Sequence, residues 1–192
     1  MIYLFSDKRS RKIALVANCI INQNSKVDKY ALYPAMVPGF VDLLEKFGFG
    51  IEQMPCPEMY TAGIRRWWQV SEQYSTSGYI RSFTFLANIV LDLIEDYIRN
   101  NFKVILIGVD GSPTCGVNYT DTDQENQWMG SPTIKFKKEE DYIKKGEASF
   151  IKVLKKQIYL RDLPEILMIG LPMDTPGEKI NLKLIEKFLS KI

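Results

Sequence analysis

The sequence predicts an α/β fold, a single Rossmann-like three-layer domain with a mostly parallel sheet. Two observations carry that prediction. Four apolar runs are continuous rather than alternating, the mark of strands covered on both faces. Segments with apolar residues at helical spacing separate those runs, so strand and helix alternate through the 192 residues.

The elements follow in order. "KIALVAN" (12–18) reads as the first strand and "PGFVDLLEKFG" (38–48) as a helix opened by Pro and closed by Gly. "FGIEQMP" (49–55) is the second strand. "YIRSFTFLANIVLDLIEDYIRNN" (79–101) is a long helix ending in Asn-Asn, and "KVILIGV" (103–109) is the third strand. "GEASFIKVLKKQIYLRD" (146–162) is amphipathic with a Lys-rich face, "EILMIGL" (165–171) is the fourth strand, and "EKINLKLIEKFLSKI" (178–192) is a last helix. Two stretches interrupt the alternation. Residues 59–78 read as a lid-like loop, and residues 116–145 read as a polar insertion whose "KFKKEEDYIKK" mixes both charge signs.

The totals exclude several classes. A formal net charge of +2 leaves no electrostatic footprint for nucleic acid. No apolar run approaches the roughly 20 residues of a membrane span. The N-terminal "MIYLFSDKRSRK" puts apolar residues before charges, the reverse of a secretory signal. A cytoplasmic protein is expected, and the sequence leaves its oligomeric state open. With no histidine in the chain, Ser-His-Asp triads, Cys-His pairs and His-ligated metal sites are excluded.

The three cysteines carry the functional signal. Cys19 follows the first predicted strand, Cys56 the second and Cys115 the third. Ligands of open α/β sheets bind beyond the carboxyl ends of the strands. Parallel strands would therefore bring all three thiols to one crevice. Cysteines also pack as small hydrophobes, but each of these sits in turn chemistry: "ANCI", "PCPE" and "SPTCG". Structural zinc takes four Cys or His ligands, and ferredoxin-type clusters take four cysteines. A 4Fe–4S cluster on three cysteines leaves one iron open for chemistry.

Acid–base candidates lie beside the thiols. Glu58 is two residues beyond Cys56, and Glu52 is four before it. Asp110 and Ser112 precede Cys115 by five and three residues. Ser112 alternatively serves the turn before Pro113, and Asp110 alternatively braces it. In "RRWWQ", Arg65, Arg66, Trp67 and Trp68 offer guanidinium and indole planes that can stack on a heterocycle. Alternatively a Trp packs in the core and the Arg pair is solvated.

The order of these motifs, with "AGIRRWWQVSEQY", resembles the 2-thiouracil desulfidase family and its thiouracil-desulfidase-related subgroup. The resemblance implies a 4Fe–4S cluster held by Cys19, Cys56 and Cys115. It also implies an iron-dependent desulfidase that takes sulfur from a thiolated small molecule and releases sulfide. Glu58 and Ser112 would be its acid–base groups, with Glu52 competing for the carboxylate role. The departure after "CPE", where "MYTAGIRRWWQ" replaces a Gly- and Pro-rich segment, leaves the substrate open. Two other readings stand beside this one: a cluster-based sulfur carrier for a biosynthetic partner, and a cluster-free binding module.

Overall fold

The computed structural model describes residues 6–123, 139–173 and 180–192. Four strands form one parallel sheet: β1 (Lys12–Ala17), β2 (Gly50–Met54), β3 (Lys103–Asp110) and, near the C-terminus, β6 (Leu167–Pro172). Their order is β2-β1-β3-β6. Ala14 pairs with both Ile51 and Ile105, and Ile107 pairs with Ile169. The centre of the sheet is fully buried through Ala14, Val16, Ile105 and Ile107, which explains why these strands read as continuous apolar runs.

The helices follow from connectivity. A right-handed crossover from β1 to β2 puts α2 (Phe40–Lys46) on one face, and the return crossover from β2 to β3 puts α4 (Ser77–Arg99) on the other. α6 (Ser149–Leu160) packs against α4. α7 (Leu182–Leu189) sits beside α2, tied by a Lys46–Glu186 ion pair at 2.8 Å. The core is thus a sheet between two helical layers. α4 buries Phe83, Leu86, Ala87, Val90, Leu91 and Ile94, a stripe at helical spacing.

Three features differ from the expectation. A short helix α1 (Asn18–Ile21) follows β1 directly. The predicted lid begins as a helix, α3 (Pro57–Ala62), so the irregular stretch before α4 is shorter than residues 59–78. The predicted insertion contains β4 (Tyr119–Asp121), α5 (Glu139–Tyr142) and β5 (Ile143–Lys145), with β4 and β5 pairing antiparallel. Its residues 124–138 lie outside the described residues.

The turn after β3 is built at backbone contact. A Cβ on Gly108 would overlap the Cys115 carbonyl, and a Cβ on Gly170 would overlap the Asp110 carboxylate. Gly170→Ala should cost about 1–3 kcal/mol, the scale of an overpacked core position. A shift in denaturant midpoint at constant slope would measure it.

Candidate functional site

Because β1, β2 and β3 run parallel, their carboxyl ends share one edge of the sheet. The chain leaves β1 and β3 toward opposite faces, and a crevice opens between such strands. Cys19 lies in α1 just beyond β1, Cys56 caps the start of α3 beyond β2, and Cys115 lies in the turn beyond β3. All three line a single cavity enclosing about 750 Å³ of empty space, part of it open to solvent.

Each cysteine is held by its surroundings. The Cys19 carbonyl accepts a 2.5 Å bond from Nε2 of the buried Gln23. Cys56 Sγ accepts from the Met59 N–H at 3.4 Å, and Pro57 and Glu58 form the first turn of α3. The Cys115 turn is the most constrained. Its N–H donates to Ser112 Oγ at 3.1 Å, and its carbonyl accepts from the Val109 N–H at 2.9 Å. The first residues of α6 donate to the same turn, Ser149 to the Pro113 carbonyl and Phe150 to that of Thr114, each at 3.1 Å.

A carboxylate cluster stands beside the thiols. Thr114 Oγ1 donates to Glu58 Oε1 at 2.7 Å, and Ser112 Oγ lies 3.5 Å from the same oxygen. Arg66 Nε donates to Glu58 Oε2 at 3.0 Å in a largely buried ion pair. The other Arg66 nitrogens reach the Ser25 carbonyl at 2.9 Å and the Gly63 carbonyl at 3.3 Å. Glu58 is thus oriented from both sides.

The thiols are free, with no disulfide among them. Burial, and then the Glu58 charge, push Cys56 up to about 11. Burial, and then Cys56 and Cys19, raise Cys115 well above its ordinary value. Such thiols ionise when a cationic group arrives to balance them. Among the described residues, no three His, Cys, Asp or Glu side chains are grouped to hold a metal ion. The three cysteines share the wall of one cavity.

The other predicted residues divide. Trp67 and Trp68 both line the cavity; Trp67 is 86% exposed, and Trp68 meets Tyr142 edge-on at 5.1 Å. Arg66 also lines it, but its guanidinium is taken up by Glu58 and two carbonyls, so it positions the lid and the carboxylate. Arg65 is exposed and absent from the cavity wall. Glu52 is absent as well: Tyr97 Oη on α4 donates to its Oε1 at 2.8 Å. Asp110 lies behind the turn. Its Oδ1 accepts from the N–H groups of Val117 at 3.0 Å and Asn118 at 2.8 Å, and its Oδ2 from Asn118 Nδ2 at 3.0 Å. The structure uses Asp110 as the brace.

Among the further residues of the wall are four polar ones that matter chemically: Thr114, Lys26, Gln69 and Asp121. The hydroxyl beside Cys115 in "SPTCG" and the Gln ending "RRWWQ" were visible signals for two of them. Lys26 and Asp121 gave none, since contacts distant in sequence bring them in.

A family model described as "Putative 2-thiouracil desulfurase" matches residues 12–181. The chain belongs to this family. The match runs from β1 to the residue before α7, so the desulfurase-family core includes all three cysteines and the lid. The uncharacterized protein MJ0003 of Methanocaldococcus jannaschii is 34% identical over 109 residues, 57% of this chain and 70% of that protein. No solved structure matches. No helix among the described residues is long and apolar enough to cross a membrane.

Proposed function

We propose that this protein is a desulfidase that exchanges the sulfur of a thiocarbonyl small molecule for oxygen, using a 4Fe–4S cluster held by Cys19, Cys56 and Cys115. The observation that carries the proposal is one cavity lined by three cysteines from three neighbouring strand ends, with Glu58 and two hydroxyls beside them. The donor set fits the group. It is all sulfur, with no imidazole in the chain, and soft thiolates suit iron–sulfur clusters. When bound, the cluster supplies a Lewis-acidic iron without a protein ligand, able to take up sulfur.

The chain's own residues do the rest. Water adds to the thiocarbonyl carbon while Glu58 accepts its proton. Thr114 Oγ1, donating at 2.7 Å, fixes which carboxylate oxygen faces Arg66 and which faces the cavity. Ser112 Oγ accepts the Cys115 N–H and lies near Glu58, so it joins the thiolate turn to the proton-handling group. Trp67 and Trp68 offer a surface to a flat ring. The overall reaction is C=S + H₂O → C=O + H₂S, with no electron supplied.

The test is anaerobic reconstitution, with iron and acid-labile sulfide measured per chain and sulfide release followed with 2-thiouracil. Loading near four irons and catalytic sulfide release, without a partner protein, are expected. Loading with sulfide passed only to an acceptor protein would favour the carrier reading, and a chain that takes up no iron would favour the cluster-free module.

A further inference from the structure

We infer that Gln69 is a specificity-determining residue, reading an N–H/C=O edge of a ring substrate bound in the cysteine cavity; this rests on the desulfidase reading above. Gln69 lies in the lid and lines the cavity with Trp67 and Trp68. Its Oε1 is buried and, among the described residues, has no hydrogen-bond partner. A buried, unmet amide oxygen disfavours the folded state, and native structures keep few such groups. Thr114, Ser112 and Arg66, by contrast, all make hydrogen bonds around Glu58. The unmet amide oxygen therefore marks a place on the wall that, among the described residues, no side chain completes and a bound ring can complete.

The chemistry of the amide defines what completes it. A carboxamide carries an acceptor and donors side by side and pairs bidentately with a ring edge that offers a donor next to an acceptor. A lactam, with N–H beside C=O, is such an edge. The terminal torsion of a Gln side chain is soft, so the amide can turn either atom to the cavity. Asp121, a buried carboxylate on the same wall, adds an acceptor suited to an N–H. A thiocarbonyl ring with such an edge would sit with its C=S toward the cysteines, its ring against indole and its lactam on Gln69. Simple thioureas and N-alkylated thio-heterocycles lack that edge.

The experiment uses the reconstituted protein and ligands that contain no sulfur, so binding is read apart from turnover. Dissociation constants for uracil and 3-methyluracil are measured by titration calorimetry for wild type and Gln69→Leu. Wild type should bind uracil about 10- to 100-fold tighter than 3-methyluracil, the scale of a lost hydrogen bond with its partner left unmet. Gln69→Leu should close that gap by weakening uracil alone, with iron content unchanged. Equal binding of the two ligands by wild type, or a gap that persists in Gln69→Leu, overturns the inference. The ligand comparison within wild type holds even if the variant folds poorly. Sulfide release from 2-thiouracil is scored separately. Its absence alongside a Gln69-dependent gap removes the desulfidase reading and leaves the recognition intact. Sulfide release with no such gap does the reverse.

Discussion

Cys115→Ala is expected to reduce iron, acid-labile sulfide and sulfide release to background together. Cys115 is the deepest of the three thiols, 6% exposed, and its backbone is fixed on every side. Its N–H is held by Ser112, its carbonyl by Val109, and its turn by the first residues of α6. No neighbouring thiol or imidazole can move in to replace it. A cysteine that merely packs would give a different outcome: a small cavity, a loss of about 1–3 kcal/mol, and unchanged iron content. Cys115→Ser separates the two further, because it keeps the volume while removing the soft donor. Iron analysis beside a denaturation curve for both variants is decisive. Normal loading in either variant would remove Cys115 from the ligand set.

Glu58→Gln should lower turnover by about 100-fold or more, the usual contribution of a positioned acid–base group, while leaving iron content unchanged. Stability should fall too. Glu58 is the carboxylate facing the buried Arg66, and breaking a buried pair by neutralising one partner costs about 3–5 kcal/mol. Gln keeps one acceptor oxygen, which can stay on Arg66 Nε, and its NH2 would face the Thr114 hydroxyl, which can accept in turn, so the lower end of that range is expected. The two effects separate in a double variant. Glu58→Gln with Arg66→Met removes the stranded charge and should recover much of the stability without recovering turnover. Recovery of both would make Glu58 a counterion rather than a base, and full activity in the single variant would remove it from the mechanism.

The strands were legible because burial on both faces writes itself into continuous apolar runs, and β1 and β3 begin at the residues expected from them. The meeting of the cysteines followed from the same fact, since parallel strands share a carboxyl edge. Helix α3 was overlooked although its signature is local: Cys56 as cap, Pro57 at the first position and Glu58 in the first turn. Placing Glu52 off the cavity wall needed only the period of a strand. Alternation sends Gln53 to Asn18 and Glu52 to Tyr97 on the α4 side. The role of Arg66 was not legible. One of its partners is the Ser25 carbonyl, 41 residues earlier, and nothing local distinguishes Arg66 from the exposed Arg65 beside it.

The lid does not hang free, and its anchoring bears on how this part of the molecule breathes. The Ser71 N–H donates to the Asp121 carbonyl at 2.9 Å, Glu72 accepts from Thr122 Oγ1 and from the Asp123 N–H at 3.0 Å, and Trp68 leans on Tyr142. The second sheet is thereby the lid's foundation. Segments joined by several bonds of this kind open as one cooperative unit rather than residue by residue. The amides of Ser71, Thr122 and Asp123 would then exchange with solvent deuterium at a common rate, set by a single opening free energy, well ahead of those of β1 and β3. Access to the thiols would be timed by the release of a small two-stranded sheet, and a substitution at Tyr142, remote from the cysteines in sequence, would alter how fast ligand enters.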